Sequence, residues 1–141
     1  MLQKKLDVSF LYISHENKYS FALHREYAEV GAKVILRENN PQIINLARTP
    51  FTYPELAKAT EEALGKKLEI KEVSLDEFNQ YLEDANVSSI GKYLSSGMQD
   101  YVKNGNNGEE LGDPKEFEEV LGRKLEPLPT IIKEYLSSLS D

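Results

Sequence analysis

Thr52-Tyr53-Pro54-Glu55-Leu56-Ala57-Lys58-Ala59-Thr60-Glu61-Glu62-Ala63-Leu64-Gly65-Lys66-Lys67-Leu68-Glu69-Ile70-Lys71-Glu72-Val73-Ser74-Leu75-Asp76-Glu77-Phe78 spells a helix, a strand and the start of a second helix. Thr52 and Glu55 form a capping box, in which each satisfies a backbone N–H the other end leaves free, and Pro54 fits a first helical turn. Leu56, Ala59, Thr60, Ala63 and Leu64 recur at helical spacing, and Gly65 supplies a left-handed exit. Leu68 to Val73 then alternates apolar with charged residues, as a strand with one wet face does. Ser74 and Glu77 make a second capping box, opening a helix with Phe78, Tyr81 and Leu82 on its inner side.

Toward the N-terminus the pattern is β-rich. Val8 to Ile13 is β-branched and aromatic, Ser14 to Lys18 is polar, and Tyr19 to Leu23 alternates bulky with small residues. The two runs predict short strands joined by a turn. A helix follows from about Arg25, with Tyr27, Val30, Gly31, Val34 and Ile35 on its stripe, Glu29, Lys33 and Arg37 off it, and Asn39-Asn40-Pro41 ending it. Gln42 to Ala47 reads as a buried strand. Toward the C-terminus, Val87, Ile90, Tyr93, Leu94, Met98, Tyr101 and Val102 predict one or two short helices. A loop from Lys103 to Gly112 precedes a helix opened by Asp113-Pro114, with Phe117, Val120 and Leu121 inside. A last helix carries Ile131, Ile132, Tyr135, Leu136 and Leu139. The expectation is one α+β domain over residues 1–141, with a small mixed sheet of short strands and several packed helices.

Ala63-Leu64-Gly65-Lys66-Lys67-Leu68-Glu69 echoes Val120-Leu121-Gly122-Arg123-Lys124-Leu125-Glu126. The flanks do not match, so a shared way of leaving a helix explains the echo better than duplication.

Bulk composition narrows the function classes. A chain of 141 residues can bury roughly two-thirds of its unfolded surface without staples. A net charge of −7 argues against a nucleic-acid surface, which needs a basic footprint. The absence of cysteine removes disulfides, thiolate metal sites and a thiol nucleophile, and fits a cytoplasmic protein. No apolar run approaches a membrane span.

Catalytic motifs are missing. Gly105, Gly108 and Gly112 follow a helical segment, and Glu109 and Glu110 between them would repel a phosphate. No Gly-Lys-Ser/Thr and no Gly-x-Ser-x-Gly occurs. None of the eight tyrosines has a lysine four residues later, the spacing that lowers a phenol's pKa in short-chain dehydrogenases. His15 and His24, with Glu16 or Glu26, could meet across a hairpin, but no paired-histidine helix motif supports a metal there. The expected catalytic, cofactor and metal residues are therefore none.

Arg25 to Ile35 followed by Ile43 to Leu46, then Thr52 to Ala57, Leu64 to Leu68 and Val73 to Phe78, resembles the C-terminal half of NmrA-like proteins, atypical short-chain dehydrogenases. Asp113-Pro114, Leu121-Gly122-Arg123-Lys124 and the helix from Pro129 to Leu139 extend the resemblance over roughly residues 18–139. That family includes NAD(P)H:quinone oxidoreductases and redox-sensing regulators. The resemblance implies a substrate lobe lacking the Rossmann half, so NAD(P)H is expected only in full-length relatives and the chain is not expected to catalyse alone. Residues 86–104 occupy the place of the substrate-covering helices. There Tyr93, Met98 and Tyr101 could lie against a quinone-like ring, although a core-facing stripe is the reading their helical spacing favours.

Lacking its nucleotide half, such a lobe leaves apolar surface and a strand edge uncovered. Self-association as a homodimer or larger, possibly with exchanged elements, or a nucleotide-binding domain in cis or trans, is the expected remedy. A stand-alone binding or regulatory module with a small apolar ligand, and an unrelated hydrolytic or metal enzyme, are the competing readings.

Overall fold

Both capping boxes form as the sequence predicts, and they set the frame of the molecule. In the computed structural model, which describes residues 9–105 and 108–138, Thr52 Oγ1 accepts the Glu55 N–H at 3.3 Å while Glu55 Oε2 accepts the Thr52 N–H at 2.7 Å. Ser74 and Glu77 repeat the exchange at 3.2 and 2.8 Å. The order is β1 (Ser9–Tyr12), α1 (His24–Ile35), α2 (Tyr53–Leu64), β2 (Glu69–Glu72), α3 (Leu75–Asp84), α4 (Ser89–Asn104), a 3₁₀ turn (Glu109–Leu111), α5 (Lys115–Leu121) and α6 (Leu128–Ser138). The architecture is α+β.

β1 and β2 pair in parallel with Ser9 opposite Glu69 and Tyr12 opposite Glu72, and the Val73 N–H extends the ladder to the Tyr12 carbonyl at 2.8 Å. Parallel neighbours need a long crossover, here supplied by everything between them, including α1 and α2. β1 alternates: Tyr12 joins an aromatic cluster with Tyr19, Phe51, Tyr53 and Val102, while Leu11 and Ile13 face Phe78 and Leu82 of α3. A third cluster sets Val30 of α1 against Phe117, Val120 and Leu121 around α5. The helices pack in pairs, α2 with α6, α1 with α5 and α3 with α4.

Several expectations are corrected. Tyr19 to Leu23 is not a strand paired with β1; only Tyr19 bridges, antiparallel, to Phe51. The sheet expected to be mixed is, among the described residues, one parallel pair plus that bridge. Gln42 to Ala47 forms no strand ladder, and Ile43 is exposed rather than buried. Side chains hold that segment instead: Glu116 accepts the Asn45 N–H at 2.6 Å, and Ser20 Oγ accepts the Arg48 N–H at 3.1 Å. In α1 the buried line runs through Glu26 and Val30, which leaves Tyr27 and Ile35 outside. Where the sequence predicts one or two short helices, residues 89–104 form a single helix of 16 residues. Val8 and Leu139 lie outside the described residues.

The echoed sequences are one device used twice. Gly65 and Gly122 take φ of 64° and 73° after α2 and α5. Four residues earlier, Glu61 and Glu118 fold back over the exit. Each accepts the N–H of the residue three beyond the glycine, Leu68 at 2.9 Å and Leu125 at 3.1 Å, and pairs with Lys67 or Lys124. The Leu68 N–H holds Glu61 below the usual carboxylate range, and the Lys124 ammonium does the same for Glu118.

Candidate functional site

α4 turns most of its apolar residues toward solvent and fastens its inner side largely through polar groups. Ser88 caps it by accepting the Gly91 N–H at 3.1 Å, and Asn17 closes its far end by donating to the Lys103 carbonyl at 2.7 Å. On the inner side Gln99 Oε1 accepts the Ile13 N–H at 3.0 Å, just beyond β1, and Val102 enters the aromatic cluster. Ser96 hydrogen-bonds Asn79 of α3, and Lys92 pairs with Glu83 at 3.5 Å. An inner face anchored by hydrogen bonds leaves the apolar residues of α4 other than Val102 on the other side.

Ile90, Tyr93, Leu94, Met98 and Tyr101 are 73, 79, 62, 52 and 44 % exposed. Gly97 lies among them with open space where a side chain would begin. The three sequence-predicted ligand residues, Tyr93, Met98 and Tyr101, therefore share one solvent-facing surface and are not core. Tyr93 and Gly97 also border a groove of about 480 Å³ between α3 and α4, with Asn79, Ser96, Lys92 and Asp100 on its walls. Met98 and Tyr101 stand outside that groove.

The histidines go separate ways. His15 Nδ1 lies 2.6 Å from Glu72 Oε2 at the carboxyl ends of the two parallel strands. His24 opens α1, and Glu26, considered as its carboxylate neighbour, is buried against Arg48. No group of three His, Asp or Glu side chains suited to a metal occurs among the described residues. No described helix is long and apolar enough to cross a membrane.

The residues around the strand ends do not suit a dinucleotide. A pyrophosphate wants a glycine turn and free N–H groups at a helix start. β2 instead leads into α3 through Val73 and Ser74, and the first turn of α3 carries Asp76 and Glu77, with the Ser74 and Glu77 N–H groups already taken by the capping box. In the glycine loop, Glu109 spends its carboxylate on the Ser20 N–H at 3.0 Å.

No family model matches the sequence, and no curated protein matches it. Solved structures do. A triphenylmethane reductase of Citrobacter sp. superposes with a TM-score of 0.78 at 24 % identity, over 92 % of this chain and 44 % of that one. The fold is that of an NmrA-like C-terminal half. An NADPH-dependent quinone oxidoreductase from Escherichia coli gives a TM-score of 0.69 at 19 % identity over 91 % of this chain and 46 % of its own. A nucleoside-diphosphate-sugar epimerase from Staphylococcus aureus gives 0.60 at 17 % identity, over 89 % and 43 %. The chain thus spans less than half the length of the proteins it matches. The Citrobacter reductase and the Escherichia coli oxidoreductase have also been solved with NADP(H) and NADPH. The pairing of Glu26 with Arg48 carries no local signal in the sequence, because the two residues lie 22 positions apart.

Proposed function

We propose that this chain is the substrate-side lobe of an NAD(P)H-dependent reductase acting on flat aromatic or quinonoid compounds. One observation carries the reading: nearly the whole chain superposes on less than half of a triphenylmethane reductase and of a quinone oxidoreductase. In this reading the lobe works in the cytoplasm with a nucleotide-binding domain, in cis or in trans, and is inactive by itself. Tyr93, Met98 and Tyr101 present two aromatic faces and a polarizable thioether, groups suited to a planar ring. The acidic start of α3 leaves the dinucleotide to the other domain.

The second reading is a stand-alone, non-catalytic binding or regulatory module that self-associates. The exposed apolar face of α4 favours it, because single soluble chains rarely leave so contiguous a patch to water.

Calorimetric titration with NADPH and then with a simple quinone tests the first reading. In the Leu94→Glu variant, which keeps Tyr93, Met98 and Tyr101 in place, the expected result is no saturable NADPH binding and a measurable quinone isotherm that Tyr93→Ser weakens. Saturable NADPH binding by the chain alone, or a quinone isotherm indifferent to Tyr93→Ser, would count against it.

A further inference from the structure

We infer that two copies of this chain dock through α4, antiparallel about a two-fold axis between Ser95 and Ser96. The inference rests on the α4 surface and not on the reductase reading.

The exposed apolar residues of α4 with Gly97 are 90, 93, 94, 97, 98 and 101, so their spacing reads three, one, three, one, three in either direction. A two-fold contact between antiparallel helices demands such a face, since each residue meets its mirror position on the other copy. Reversal about the point between Ser95 and Ser96 sets Ile90 opposite Tyr101, Tyr93 opposite Met98, and Leu94 opposite Gly97. Each pairing is physically sound. Leu94 enters the space left by Gly97, where a Cβ would meet nothing within 4 Å. Methionine sulfur lies well against an aromatic edge. The rows Ile90-Leu94-Met98 and Tyr93-Gly97-Tyr101 are four-residue ridges of the kind that interdigitate when helices cross.

Area and charge agree. These side chains offer on the order of 600 Å² of exposed surface, taking about 200 Å² for a large aromatic. A standard interface takes about 800 Å² per partner, so α4 alone supplies most of it. None of the six residues is charged, in a chain of net charge −7, and the one carboxylate of α4, Asp100, comes opposite Gly91 and not opposite another carboxylate.

Sedimentation velocity tests the proposal on the full chain. The wild type should sediment as a dimer at micromolar concentration. Leu94→Glu should shift it to monomer with unchanged circular dichroism, while Ile35→Glu, at an exposed residue 83 % accessible on α1, should leave the dimer intact. The chain has no cysteine, so engineered thiols report unambiguously. Leu94→Cys mixed with Gly97→Cys should give more disulfide-linked dimer than either variant alone. A monomeric wild type, a Leu94→Glu variant that still dimerises, or a mixture no better linked than its components would each overturn the proposal. A monomer that instead captures a nucleotide-binding domain or a quinone on α4 would also overturn it. Leu94→Glu keeps Tyr93, Met98 and Tyr101, so ring binding is read on the monomer separately.

Discussion

Glu26 has no exposed surface, and the Arg48 side chain beside it is almost as deeply buried. Arg48 Nη2 donates to both Glu26 oxygens at 3.0 Å, Nη1 donates to the Glu126 carbonyl, and Glu26 Oε2 also accepts the Leu23 N–H at 3.0 Å. One pair thereby ties the start of α1, the irregular segment 42–50 and the loop before α6. Desolvation makes such a pair a weak net stabiliser while intact, yet removal of one member strands a buried charge. Arg48 Nε is already buried without a partner, which leaves no spare acceptor to take over. Glu26→Gln should therefore lower the unfolding free energy by about 3–5 kcal/mol in urea titration. Glu26→Leu combined with Arg48→Met should recover most of that loss; a double variant as unstable as the single would show that geometry, not charge, makes the tie.

The helix ends carry the element-scale behaviour, and glycines at three places should respond with opposite signs. At Gly65 and Gly122 the left-handed backbone ends α2 and α5, so alanine at either should cost about 1 kcal/mol. Gly97 is mid-helix in open space, so alanine there should raise stability by up to about 1 kcal/mol in thermal melts of the monomeric Leu94→Glu background. A loss at Gly97 in that background would mean the helix needs its glycine for more than docking. These ends were also the most legible part of the sequence, because a cap is local: Thr52 with Glu55, Ser74 with Glu77, and Gly65 each specify their own turn. Non-local pairing was not legible. Gln42 to Ala47 has every local mark of a strand, but the described residues offer it no ladder partner, and Tyr19 to Leu23 keeps only the bridge at Tyr19. The face of α4 was half legible: periodicity grouped its apolar residues, but periodicity alone does not say which way a stripe faces. The hydrogen bonds of Gln99 and Ser96 decide that, and they depend on β1 and α3, distant in sequence.

At the scale of the whole molecule, two sets of groups bound the pH range of stability. Glu29, Glu55, Glu61, Glu69, Glu77 and Glu118 are all held below the usual value of 4.5, by ion pairs with lysine or arginine or by backbone N–H groups. Below pH 4.5 the unfolded chain takes up protons that the folded chain still refuses, so stability falls as the pH drops through the depressed values. Tyr53 and Tyr19 act at the other end. Burial pushes Tyr53 up to about 12, and raises Tyr19 further, with the Tyr53 hydroxyl adding to the effect. Unfolded tyrosine ionises near 10, so above that pH the unfolded chain sheds protons the folded chain keeps, and stability falls toward 12. Urea midpoints should therefore hold a plateau between these limits and decline on both sides. Tyr19→Phe removes the more strongly shifted phenol, so the alkaline decline should become shallower while the acid limb stays where it was. A decline beginning inside the plateau would point to a group other than these carboxylates and phenols, and an alkaline limb unchanged in Tyr19→Phe would mean the aromatic cluster opens before Tyr19 ionises.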